Sequence, residues 1–186
     1  MKTKDLAVGV VFGALAIALN FLIRIPDPPA PFLFYQIWEI PILAAFFLFG
    51  VFIMLFVTAI NFVILLVFFQ GASVLGPVYW LAAWFSMVVG IGLIKILHDK
   101  HALKNVAVTG ALYTAFGVAF RTAVMTLVNY TVLRYPPPVG YSEPQLSIVT
   151  YFVPQIALFN ALLALYTIPI SFSISQTLAR NIRMFR

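Results

Sequence analysis

An all-α integral membrane protein with six transmembrane helices is the fold class this sequence predicts, and three observations predict it. Of 186 residues, 63% are hydrophobic and only 9% charged, with a mean hydropathy of +1.07; a soluble domain is nearer half apolar and a quarter charged. The apolar residues come in runs near the ~20 residues a spanning helix needs, not in the ~10-residue alternating segments of a membrane barrel. Breaks rich in proline, glycine or charge separate the runs. The expectation is a single membrane domain over 1–186. Cysteine is absent, which excludes a disulfide framework, a thiolate nucleophile and a Cys-ligated metal. The net charge of +6 does not point to nucleic acid, because the basic residues sit at helix ends, as topology signals do.

The first helix is expected over about 5–23. The run has no clear small-residue cleavage site and leads straight into proline-rich sequence, so it reads as a retained helix and not a signal peptide. It carries small residues four apart, Gly9/Gly13 and Ala14/Ala18. Such stripes let helix backbones approach closely, either within the chain or against another membrane subunit. Arg24 to Pro31 has four prolines in eight residues and cannot continue a helix; a stiff extended loop is expected. The second helix, about 38–49, has Pro41 in its first turn and Glu39 near its N-terminus, where a carboxylate is favoured. Gly50 breaks a thirty-residue apolar stretch and begins a third helix over about 51–69. Within that helix Asn61 is read as an interhelical hydrogen-bonding group.

Gln70 to Pro77 reads as a loop from its Gly and Pro content, and the fourth helix is expected over about 78–97. His98-Asp-Lys-His-Ala-Leu-Lys104 reads as a polar connection. Two histidines three apart invite a metal, but the flanking lysines and the single nearby Asp99 favour a solvated loop. The fifth helix, about 105–133, precedes a proline-rich loop at Arg134 to Pro144, and the sixth, about 146–178, contains Pro154 and Pro169. Six helices put both termini on one side. Lys2, Lys4, Lys95, Lys100, Lys104, Arg180, Arg183 and Arg186 share that side, against Arg24 and Arg134 on the other. The positive-inside rule makes both termini cytoplasmic.

Chemistry is sparse. No P-loop, GxSxG or HExxH motif occurs, and five acidic residues near helix ends or in loops leave little for acid–base work. A proton-coupled carrier calls for a carboxylate deep in the membrane, and Glu39 is read as sitting at a helix entrance. An ion channel calls for polar rings or a filter. By elimination the chain is expected to bind something, with no visible energy source of its own and no enzymatic activity of its own expected. Tyr35, Gln36, Trp38, Glu39, Tyr79, Trp80, Asn129, Tyr130, Tyr135 and Tyr141 map to the outer ends and loops, and Asn160 lies between the two prolines of the sixth helix. Arg121 is a cation inside an apolar helix. Asn129 follows it by eight residues, a little over two turns, so both look into one interior. Glu39 is the expected partner of Arg121, as an ion pair or through a shared water network.

Three stretches resemble a known family, the substrate-binding S components of energy-coupling factor (ECF) vitamin transporters. Trp38-Glu-Ile-Pro-Ile-Leu-Ala-Ala-Phe-Phe-Leu-Phe-Gly50 resembles the family's acidic residue, Ile-Pro, short apolar helix and Leu-Phe-Gly. Ala14 and Ala18 are similar to the AxxxA pattern that meets the transmembrane coupling subunit. Arg121 to Tyr130 is similar to the fifth helix of the riboflavin-specific members, where an Asn in the place of Asn129 contacts the flavin. The sixth helix departs from those members: Asn160-Ala-Leu-Leu163 has no Lys where they carry Asn-Leu-Ile-Lys. The resemblance implies a multi-pass subunit of a prokaryotic plasma membrane with no cofactor of its own. It implies capture of riboflavin, or of thiamine, pantothenate, biotin or folate, from outside. The coupling subunit and two partner ATPases drive release inward. A self-contained carrier of a small solute is the alternative, and membrane lipid is the surrounding partner in either case.

Overall fold

The computed structural model describes residues 3–28, 30–68, 75–101, 105–136, 139 and 146–184. Among them the chain forms α1 (Thr3–Leu22), β1 (Arg24–Asp27), β2 (Ala30–Gln36), α2 (Glu39–Phe49), α3 (Val51–Phe68), α4 (Gly76–His101), α5 (Val106–Val132) and α6 (Leu146–Met184). Helices α3 to α6 are long and apolar enough to cross a bilayer, while α1 and α2 supply shorter apolar helices over Leu6–Leu22 and Glu39–Phe49. The chain is thus a multi-pass helical membrane protein.

The short α2 shapes the molecule. At about 1.5 Å per residue, its 11 residues cover only about half of a ~30 Å hydrocarbon core. Gly50 turns it back into α3, and α3 lies alongside α1, with Gly9 facing Phe56 and Gly13 facing Ile60. The N-terminal end of α2 therefore stops at mid-depth, and the segment before it reaches down into the bundle. Non-helical backbone at that depth needs partners from the protein. They come from α6: the Tyr166 hydroxyl donates to the Gln36 carbonyl (2.5 Å) and accepts from the Gln36 N–H (3.3 Å). Ser171 adds a hydrogen bond from its hydroxyl to the Ile40 carbonyl (3.0 Å).

The expected loop at 24–31 is instead part of an antiparallel hairpin, a local departure within an all-α membrane fold. Arg24 pairs with Gln36, Ile25 with Tyr35 and Pro26 with Phe34, before the register shifts at Asp27. An isolated pair has only edge strands, where the missing proline N–H is tolerated, and β-branched and aromatic residues suit the pleat. The buried Asp27 also meets the Tyr35 hydroxyl across the pair. Burial first, and this carboxylate second, hold that phenol above its ordinary pKa.

Two further boundaries differ. The stretch expected as a polar connection at 98–101 continues α4, and α6 runs to Met184 instead of ending near 178. Neither polar stretch contains a glycine or proline to stop the helix, so each extends past its apolar run. The side chains of His98 and His101 lie outside the described set. Gly50 has φ +86° and ψ −172°, a backbone state that only glycine adopts freely. A Gly50→Ala variant is expected to lose roughly 1–3 kcal/mol, although open space surrounds the position. The measurement is the thermal midpoint of the purified protein; an unchanged midpoint would show that the α2–α3 turn relaxes.

Candidate functional site

Helix α5 buries Thr109, Tyr113, Gly117, Arg121, Met125 and Asn129, a stripe at four-residue spacing that puts Arg121 and Asn129 on one inward face. Asn105 starts the helix by accepting from the backbone N–H groups of Ala107 (2.9 Å) and Val108 (3.3 Å), satisfying two of the donors a helix start leaves open. Gly117 lets α4 and α6 close on α5, since a Cβ there would lie 2.4 Å from Ile168 and 3.1 Å from Ile91. One turn further out, that tight packing encloses Arg121.

The Arg121 guanidinium and the Glu39 carboxylate meet at 2.6 Å, with side chains 2% and 0% exposed. Glu39 Oε2 accepts from Arg121 Nη1. Its Oε1 accepts from Arg121 Nη2 (3.1 Å), Trp80 Nε1 (2.9 Å) and Gln36 Nε2 (3.0 Å). Arg121 Nε donates to Asn160 Oδ1 (3.2 Å), and Nη1 also lies 3.7 Å from the Met87 sulfur. This knot joins the foot of the hairpin, α2, α4, α5 and α6. A buried ion pair is tolerable only when its remaining lone pairs and protons are satisfied, and the four bonds to Glu39 do that. Glu39 thus lies deeper than the helix entrance read from the sequence. A carboxylate is present at membrane depth, but it is held by a fixed cation and two neutral donors. That arrangement suits anchoring.

The knot separates the two interior amides. Asn160 is fully engaged, since its Oδ1 takes Arg121 and its Nδ2 donates to the Ile156 carbonyl (2.9 Å). Asn129 donates from Nδ2 to the Met125 carbonyl (2.8 Å), and its Oδ1 has no partner among the described residues. It stands about 12 Å above Arg121, eight residues at 1.5 Å each. A second layer closes the outer end, where Leu133 and Ile156 are buried with Leu33, Phe152 and Val153 packed on them. Between the knot and this layer, Tyr35 of β2 lies against Phe159 of α6, ring centroids 4.8 Å apart.

The other expected site residues divide. Trp38 is buried against Trp80 with centroids 4.8 Å apart, and Trp80 lies parallel to Trp84 at 6.2 Å. The indole N–H groups of Trp38 and Trp84 have no partner among the described residues. Tyr79 lies away from the knot and donates to the Val139 carbonyl (2.6 Å), tying α4 to the segment after α5. Tyr130 and Tyr135 are exposed, Arg134 lies over the Tyr130 ring at 3.9 Å, and Tyr141 falls outside the described residues. Asn61 is fully buried, yet neither amide atom bonds to a described residue, so the interhelical bond expected of it is not found among the described residues. On α1 the small residues split: Gly9 and Gly13 are buried against α3, while Ala14 and Ala18 face outward. Sequence reasoning missed Met87, Tyr166 and Ser171. The latter two carried a usable signal, being polar residues in an apolar helix.

No protein-family model matches the sequence, and no curated protein does. Among solved structures the chain is similar to the S component of a bacterial ECF transporter, over 98% of this chain and 99% of that one, with a TM-score of 0.74 and 21% identity. The two share one fold along essentially their whole lengths.

Proposed function

We propose, from that shared fold as premise, that the chain is the substrate-binding S component of an ECF-type importer in a prokaryotic plasma membrane. It captures riboflavin between the knot and the outer layer. In this reading α1 and α3 to α6 cross the bilayer, the short α2 and the segment before it make the remaining pass, and both termini are cytoplasmic, in keeping with the basic residues at those ends. The observation that carries the site is Asn129, a buried residue whose amide donates only to the Met125 carbonyl, above a knot in which Glu39, Arg121 and Asn160 are already engaged with one another. Its side-chain carbonyl oxygen suits the imide N–H at the edge of a flavin ring. Tyr35, Phe159 and the Trp38–Trp80 pair offer aromatic faces to the ring itself. The outward Ala14 and Ala18 offer the coupling subunit a close-packing face, and hydrolysis of ATP belongs to the partner ATPases.

Purified protein is expected to carry or bind riboflavin, followed by quenching of flavin fluorescence. Asn129→Leu should weaken binding about tenfold or more, since one lost hydrogen bond to a buried group is worth about 1–3 kcal/mol, at unchanged thermal midpoint. Asn160→Leu should instead lower the midpoint, because it uncovers Arg121. Colourless protein that ignores micromolar riboflavin and binds thiamine or pantothenate would move the ligand and keep the S-component reading. Transport by the chain alone in vesicles, without ATPases, would replace that reading with a carrier.

A further inference from the structure

Two α6 residues seven apart, Phe159 and Tyr166, lie two turns from each other on one face of the helix and meet two consecutive residues of β2. Phe159 takes the ring of Tyr35, centroids 4.8 Å apart. Tyr166 takes the backbone of Gln36, its hydroxyl donating to the carbonyl (2.5 Å) and accepting from the N–H (3.3 Å). Helical side chains lean towards the helix N-terminus, the end at which Phe159 lies. The long phenol of Tyr166 therefore leans towards Phe159, and two residues about 10 Å apart along α6 can grip neighbours on a strand.

Gln36 joins two parts of the molecule. Its side-chain amide donates to Glu39 Oε1 (3.0 Å), within the knot. Its backbone lies opposite Arg24, next to the pair of Ile25 with Tyr35. The knot holds Gln36 by its side chain, and Tyr166 holds it by its backbone. The N–H that Tyr166 engages belongs to the peptide joining Tyr35 to Gln36, and the carbonyl belongs to the next one. Those two peptide planes set the direction in which Tyr35 leaves the strand. Ser171, the other α6 hydroxyl on this segment, acts differently. Its closer acceptor is the Thr167 carbonyl of its own helix (2.6 Å), and the Ile40 carbonyl (3.0 Å) lies on the α2 side of Glu39.

We propose that Tyr166 is a positioning residue for the outer site, acting through Gln36 and Tyr35 and not by contact with the ligand. The proposal rests on the reading of that site as the place of capture. Tyr166→Phe keeps the ring and removes both hydrogen bonds. Riboflavin affinity of the purified full chain, followed by flavin fluorescence, should then fall about fivefold or more, the scale of one lost hydrogen bond. In a Tyr35→Leu background the same change should cost less than about twofold, because the group it positions is gone. Ser171→Ala should leave the affinity unchanged. An unchanged affinity in Tyr166→Phe, or equal losses with and without Tyr35, would overturn the proposal. If the unaltered protein binds no riboflavin, the ligand assignment fails and hydrogen exchange of the ligand-free protein decides. Tyr166→Phe should speed exchange at the Gln36 amide about fivefold or more, while Ser171→Ala should not. Equal exchange in all three proteins, or an equal rise in both variants, would overturn the positioning role.

Discussion

Arg121→Ala is expected to lower stability by roughly 3–5 kcal/mol, because it leaves Glu39 as an uncompensated charge in a fully buried position. For a chain of this length that corresponds to a fall of about 6–20 °C in the thermal midpoint. Glu39→Leu should do similar damage from the other side. Arg121→Lys should fare little better, since one ammonium cannot reach both Glu39 oxygens and Asn160 as the guanidinium fork does. The diagnostic variant is the double one, Arg121→Met with Glu39→Leu, which should recover much of the loss because an apolar replacement removes both charges together. Recovery stops short of complete, since Gln36, Trp80 and Asn160 each lose a partner. A single Arg121→Ala melting within about 1 °C of the parent would mean that the knot is not a structural tie.

A second large loss is expected from Gly90→Ala. A Cβ at Gly90 would lie 2.5 Å from the Phe116 carbonyl oxygen, 2.9 Å from its carbon and 3.0 Å from the Phe120 Cβ. None of these is the end of a flexible side chain, so α4 must move away from α5 as a body. Overpacking of this kind costs about 1–3 kcal/mol and sometimes more. Here it also pulls Trp80 and Met87 away from the groups that Arg121 brings with it. Gly92, on the same helix, faces open space. Gly92→Ala should be neutral or stabilising by up to about 1 kcal/mol from helix propensity alone. Equal effects at the two positions would show that α4 and α5 are not in close contact there.

Sequence periodicity carried much of this architecture. Eight-residue spacing placed Arg121 and Asn129 on one face, and Gly50 marked the α2–α3 turn, because both follow from backbone geometry within a single element. The hairpin stayed hidden because its strands hold two prolines (Pro26 and Pro31), with Pro28 and Pro29 between them, and a register shift, while its pairing depends on segments brought together by the fold. The depth of Glu39 was hidden for a related reason: it depends on where α2 stops relative to its neighbours, which no local pattern records. Asn160 looked equivalent to Asn129 in sequence, a polar amide in an apolar helix. What separates them is saturation. Arg121 consumes the Asn160 acceptor and stops one turn below Met125 and about two below Asn129, a three-dimensional fact about reach. The polar run at 98–101 misled in the opposite sense, because polarity marks exposure to water and does not by itself end a helix.

The pairing of Arg121 with Glu39 has an electrical consequence. A lone cation at that depth would act as a gating charge, for each elementary charge carried through the membrane field is worth about 2.3 kcal/mol per 100 mV. Locked to a carboxylate at 2.6 Å, it can move only together with its opposite, and the membrane potential finds no net charge there to pull. If the chain captures an uncharged ligand above the knot, as proposed, that capture is expected to be indifferent to voltage.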